Sequence, residues 1–163
     1  KGRGGMLYLA YCVNIHPDHM RSICPDAKFF GKACLSACEL EFRLKNDKLY
    51  LALVSSESAS SFVPCVLWDL RDSDVRSLEN YFASHGVFNK EYKSVSCNGG
   101  VVDCFLYMLD GGEKAHSMND SFHYMIQGYD SMGFNFSPLF KLMKKTDPEK
   151  YERAKKIVLE HLR

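Results

Sequence analysis

Strand-like segments fill the first two-thirds of this chain and helical ones gather in the last third, and that order restricts the fold more than any other feature. A chain that alternates strand with helix builds a parallel sheet. One that runs through most of its strands first builds an α+β domain. Residues 7–13 form an apolar run too short for a helix and rich in aromatics. Residues 28–35 read as extended, residues 38–43 alternate apolar and charged as a half-buried strand does, and Asn46-Asp47 turns the chain into another strand at 49–54. A buried strand follows at 62–70. Asn98-Gly99-Gly100 between 92–97 and 101–109 is a hairpin signal, because Asn and Gly tolerate positive φ.

The helices announce themselves by caps and stripes. Pro17 suits a first helical position and opens a short helix that ends before Pro25. Asp72 or Ser73 is placed to cap a helix carrying Val75, Leu78, Tyr81 and Phe82, closed by Gly86. Asn119 or Asp120 caps a third, with Phe122, Met125, Ile126 and Tyr129 inward and Gly133 at its end. Two more follow, at 138–144 and 148–162, the last with Tyr151, Ala154, Ile157, Val158 and His161 or Leu162 as its stripe. The small residues at 55–61 have the composition of a mobile linker or lid.

With 163 residues the chain is long enough for one domain burying roughly 70% of its unfolded surface. A net charge of +1 gives no reason to expect nucleic acid or an anionic membrane as partner, and no apolar run reaches the length of a membrane-spanning helix. The first five residues, Lys1-Gly2-Arg3-Gly4-Gly5, read as a disordered lead or tag scar before a single domain over 6–163 with a helical C-terminal tail. Seven cysteines, odd in number and irregular in spacing, fit free thiols in a cytoplasmic protein better than a disulfide framework. His16 with His19, and His116 with His123, are pairs without a convergent third ligand, so no metal and no cofactor is expected. The basic run 141–145, with Lys155-Lys156, reads as a solvated face.

The functional interest lies at 11–18, where a strand, a tight loop and a helix N-terminus follow in succession and backbone N–H groups can converge. Tyr11-Cys12-Val13-Asn14 resembles the Tyr-Gly-Ser-Asn loop of the γ-glutamylcyclotransferase-like (AIG2-like) family. Met20-x-x-x-Cys24-Pro25-x-Ala27-Lys28, Val63-Pro64-x-x-Leu67-Trp68-x-Leu70, Leu78-Glu79-x-Tyr81, Leu106-Tyr107-Met108 and Gly128-Tyr129-x-x-x-Gly133-Phe134 extend the resemblance over residues 7–145. The resemblance implies a small barrel-like mixed β-sheet with helices packed outside. It also implies a pocket in which a γ-glutamyl group is cyclised to 5-oxoproline, with release of an amine.

The chain departs from that pattern where the chemistry sits. Cys12 and Val13 replace the loop glycine and serine, with valine removing a hydroxyl and cysteine expected to fit poorly at positive φ. Phe82 stands where the family carries its acid, and it cannot transfer a proton. No catalytic residue is assigned; His85 and Glu79, with Glu91 behind them, are the candidates for a relocated acid or base. Cys12 is a further candidate as a nucleophile, activated by the helix N-terminus. The expected function is therefore a γ-glutamylcyclotransferase-like protein that has lost the reaction and binds a small polar ligand, γ-glutamyl or nucleotide-like, through Tyr11, Cys12, Val13, Asn14, Phe82, Tyr92 and Tyr107. The alternatives are an active cyclotransferase and a protein-interaction scaffold whose old pocket is filled.

Overall fold

A computed structural model describes residues 6–161; the expected lead at 1–5 lies outside them, as do the side chains of Val158, His161 and Leu162. Strand β1 (Met6–Ala10) runs into a 3-10 turn at Val13–Ile15 and helix α1 (Pro17–Ile23). Strands β2 (Lys28–Ser36), β3 (Cys38–Lys45), β4 (Lys48–Ser55) and β5 (Phe62–Leu70) follow. Helix α2 (Asp72–His85) then leads to β6 (Phe88–Cys97), β7 (Gly100–Leu109) and the two-residue β8 (Glu113–Lys114). Helices α3 (Ser121–Met132), α4 (Ser137–Thr146) and α5 (Pro148–His161) complete the chain. None of the described helices is long and apolar enough to cross a membrane.

The strands form a five-stranded sheet in the order β2-β5-β1-β7-β6 and a three-stranded sheet in the order β4-β3-β8. The larger sheet is mixed: β1 pairs antiparallel with β5 and parallel with β7, where Tyr8 meets Phe105. β5 lies inside this sheet, and Val63 through Leu70 are buried except Asp69, which is why that segment reads as a continuous apolar run. β3 instead alternates, with Cys38, Leu40 and Phe42 buried between Glu39, Glu41 and Arg43. The chain passes from one sheet to the other at Ala37, a non-glycine residue at φ 56 whose N–H donates to the Ser61 carbonyl at 2.7 Å.

The mixed sheet and outer helices agree with the expected α+β fold, but the barrel stays open. The edges β2 and β6 approach each other, and just past the end of β6 Asn98 Nδ2 donates to the Phe30 carbonyl at 3.2 Å, but among the described residues no ladder joins them. Gly31 permits that approach: a Cβ there would sit 2.5 Å from Cys97 Sγ.

Local details differ from the sequence reading in four places. Arg71, not Asp72 or Ser73, precedes the first turn of α2, which has no side-chain cap. Ile126 is exposed, because α3 packs through the narrower set Met125, Gly128 and Tyr129. His116 precedes α3 in a loop and does not share a helix with His123. The serine loop after β4 is tied down: Ser56 Oγ donates to Glu39 Oε2 at 3.0 Å, and Ser61 is buried. It stands away from the cavity described below, whose β4 wall is the opposite end of that strand.

Candidate functional site

The strand–loop–helix junction at the end of β1 opens onto a cavity of about 300 Å³. Its floor and near wall are Tyr8, Tyr11, Cys12, Val13 and Asn14. Its far wall is the last turn of α2, with Tyr81, Phe82 and His85, where Gly86 at φ 68 ends the helix. The first residues of β4, Lys48 to Leu51, close it from the smaller sheet, and Phe88, Tyr107 and Ser121 complete the lining.

Aromatic packing shapes this space. Phe82 stacks on Tyr107 with centroids 4.0 Å apart and planes 13° from parallel. Phe88 meets Phe82 edge-on at 5.0 Å, and Tyr50 crosses from β4 to meet Phe88 at 5.7 Å and His85 at 6.1 Å. Such edge-to-face and stacked pairs hold rings in fixed orientations. Phe82 is thus part of a wall, and the space in front of it remains open.

The polar groups beneath are already engaged with one another. Asn14 Nδ2 donates to Tyr8 Oη at 3.1 Å, Asn14 Oδ1 pairs with His19 Nδ1 at 3.0 Å, and the Asn14 carbonyl accepts from Trp68 Nε1 at 2.8 Å. Tyr11 Oη donates to the Tyr107 carbonyl at 2.5 Å. Burial raises the hydroxyl pKa of Tyr8, Tyr11 and Tyr107, so all three stay protonated across the physiological range. The Tyr107 hydroxyl is shielded from solvent and has no partner among the described residues.

Cys12 sits at φ −111, ψ −141, a conformation that needs no glycine, and its thiol donates to the Leu51 carbonyl at 3.4 Å. Burial pushes that thiol far up rather than down, which corrects its reading as an activated nucleophile. Burial also lowers His19, with His16 adding to the effect. His16 itself accepts from the Asp18 N–H and begins α1.

Of the residues named from the sequence, Tyr11, Cys12, Val13, Asn14, Phe82, Tyr107 and His85 meet at this cavity. Tyr92, Glu79 and Glu91 do not. Tyr92 lies on the edge strand β6 and is 71% exposed. Glu79 is drawn away by Lys90, whose Nζ lies 2.7 Å from Glu79 Oε2 and over the Phe105 ring. His85 stands at the rim, exposed among Tyr50, Tyr81 and Phe88. Among the described residues no Asp or Glu lines the space. The sequence reading missed Tyr8, Lys48 and Tyr50. Tyr8 alternates with residues of a plain core strand, and β4 reaches the cavity only through the docking of one sheet on the other.

No protein-family model matches this chain, and no curated protein does. Solved structures do. An uncharacterized protein from Homo sapiens superposes with a TM-score of 0.73 at 22% identity, covering 85% of this chain and 86% of that one. A gamma-glutamyl cyclotransferase superposes with a TM-score of 0.72, also at 22% identity, with 85% and 86% covered. YkqA from Bacillus subtilis gives 0.68 at 14% identity over 87% of this chain, which spans 54% of YkqA. The chain has a γ-glutamylcyclotransferase-like fold.

Proposed function

We propose that this protein binds a small polar ligand in the cavity behind Asn14 and does not carry out the cyclotransferase reaction. One observation carries the reading: the cavity is relined and not filled, about 300 Å³ of space facing Phe82 with no carboxylate among the described residues of its lining. Cyclising a γ-glutamyl group requires a proton to leave the α-ammonium and reach the departing nitrogen. Burial keeps Tyr8, Tyr11 and Cys12 protonated near neutral pH, so none of them is a base ready to take that proton. A pocket plugged by Phe82 would have favoured the protein-scaffold reading; the open space favours a ligand. The free thiols suit a reducing compartment, and a cytoplasmic location is part of the proposal.

The test is 5-oxoproline release from γ-glutamyl amino acids, γ-glutamyl amines and glutathione, followed by mass spectrometry. The natural protein is expected to release none. The triple variant Cys12→Gly, Val13→Ser, Phe82→Glu is the positive arm, and turnover by it alone would mean that the scaffold still seats the substrate. Turnover by the natural protein that disappears in His85→Ala would overturn the proposal in favour of an enzyme with its base moved to the rim, the position His85 occupies.

A further inference from the structure

The cavity's charges, together with the Tyr8 and Tyr107 hydroxyls in its lining, neither of which donates to an acceptor among the described residues, indicate what kind of ligand it accepts. Among the described residues, Lys48 and His85 are the only side chains in its lining that can carry positive charge, and no lining carboxylate balances a second cation. Lys48 is exposed at the start of β4 and forms no ion pair among the described residues, unlike Lys45, Lys90 and Lys145 nearby in the sequence or fold. An ammonium brought into this space would meet aromatic faces but no carboxylate. Cation–π attraction offsets only part of the desolvation of an unpaired ammonium, and Lys48 repels it.

The deeper end offers a hydrogen-bond donor. Asn14 Nδ2 donates to Tyr8 Oη, so that oxygen's lone pair is engaged and its own proton is left for another acceptor. Among the described residues none accepts it. Donation from an amide held in turn by His19 polarises the hydroxyl and makes it a better donor. Tyr8 is 4% exposed and lines the cavity, so its rotation is restricted by Phe82, Phe105 and Tyr107 around it.

We infer that the ligand is a small carboxylate without a free ammonium, such as an N-acylated amino acid, with its carboxylate toward Lys48 and an uncharged carbonyl accepting from Tyr8 Oη. This rests on the binding reading above. The rings of Tyr50, Tyr81 and Phe88 then cover its apolar body.

Isothermal titration of the full chain with two series matched in side chain and differing in charge tests it: N-acetylphenylalanine, phenylalanine and N-acetylphenylalanine amide, then the same three forms of leucine. The N-acetyl carboxylates are expected to bind at least roughly tenfold more tightly than the zwitterions or the neutral amides. Lys48→Met and Tyr8→Phe should each weaken that binding by roughly tenfold. Lys45→Met, whose residue faces Asp110 and not the cavity, should leave it unchanged. Lys48 is exposed, so its variant keeps the test usable if Tyr8→Phe disturbs folding. Equal or tighter binding of the free amino acids or of the amides, or indifference to Lys48→Met, would overturn the inference while leaving a binding protein. If no series binds, metabolites retained from a cell extract separate the two ideas. A small molecule other than an ammonium-free carboxylate, held by the natural protein but not by Val13→Trp, a change chosen to fill the cavity, would sink the ligand class alone, whereas an ammonium-free carboxylate held in that way would support it. Retention of nothing would sink both.

Discussion

Asn14 uses its main-chain carbonyl and both ends of its carboxamide inside the fold, on Trp68, Tyr8 and His19. Asn14→Ala should therefore lower stability by about 2–4 kcal/mol in urea unfolding, since it leaves buried partners unsatisfied, and should weaken any ligand of Tyr8 as well. The sequence marked this residue as a ligand contact; its position in a loop before a helix was legible, but the choice of partners belongs to residues far along the chain. Tyr129 makes the opposite case. It is fully buried, and its hydroxyl has no partner among the described residues. Tyr129→Phe should be neutral or stabilising by up to about 1–2 kcal/mol, read as an unchanged or higher melting temperature. A loss of stability would reveal a partner for that hydroxyl.

The contact between α3 and the 3-10 turn decides how firmly the cavity's floor is held. A Cβ on Gly128 would lie 2.8 Å from Ile15 Cγ1 and 3.0 Å from Ile15 Cδ1, and Ile15 is fully buried. Helix propensity alone favours alanine over glycine by about 1 kcal/mol. Overpacking against Ile15 outweighs it, and Gly128→Ala is expected to destabilise by about 1–3 kcal/mol in thermal unfolding. A stabilised variant would show that the turn can yield. The helix itself was readable from its periodicity and from Gly133. The close approach was not, because nothing local distinguishes a glycine needed for packing from one merely tolerated. The same limit applies to the serine loop after β4, whose small side chains suggested mobility until Glu39 and Lys141 tied it down.

Across the whole molecule, the helical tail is joined to the smaller sheet by charge. Lys145 Nζ lies 2.8 Å from Glu39 Oε1 and 3.6 Å from Glu41 Oε1, and Lys141 approaches Glu39 at 3.5 Å. The hydrogen bond from Lys145 is the main reason that the Glu39 carboxyl is held near 2, below its ordinary value of 4.5. A depressed carboxylate stabilises the fold above its unfolded pKa and loses that contribution as pH falls from about 4.5 toward about 2. Glu39→Gln should cost about 1–2 kcal/mol at pH 7, with partial exposure screening the pair, and should flatten the decline between pH 5 and 3. An unchanged acid profile would exclude this anchor. At this scale the division between sequence and tertiary structure is clear. Periodicity, turn residues at Asn46-Asp47 and Asn98-Gly99, and caps determined the strands, the helices and the α+β class, since those preferences act over a few neighbouring residues. The open edge between β2 and β6, the arrival of Lys48 and Tyr50 at the cavity, and the removal of Tyr92 and Glu79 from it were decided only when two sheets packed together. Those contacts join residues far apart in the chain, and no local preference encodes their distance.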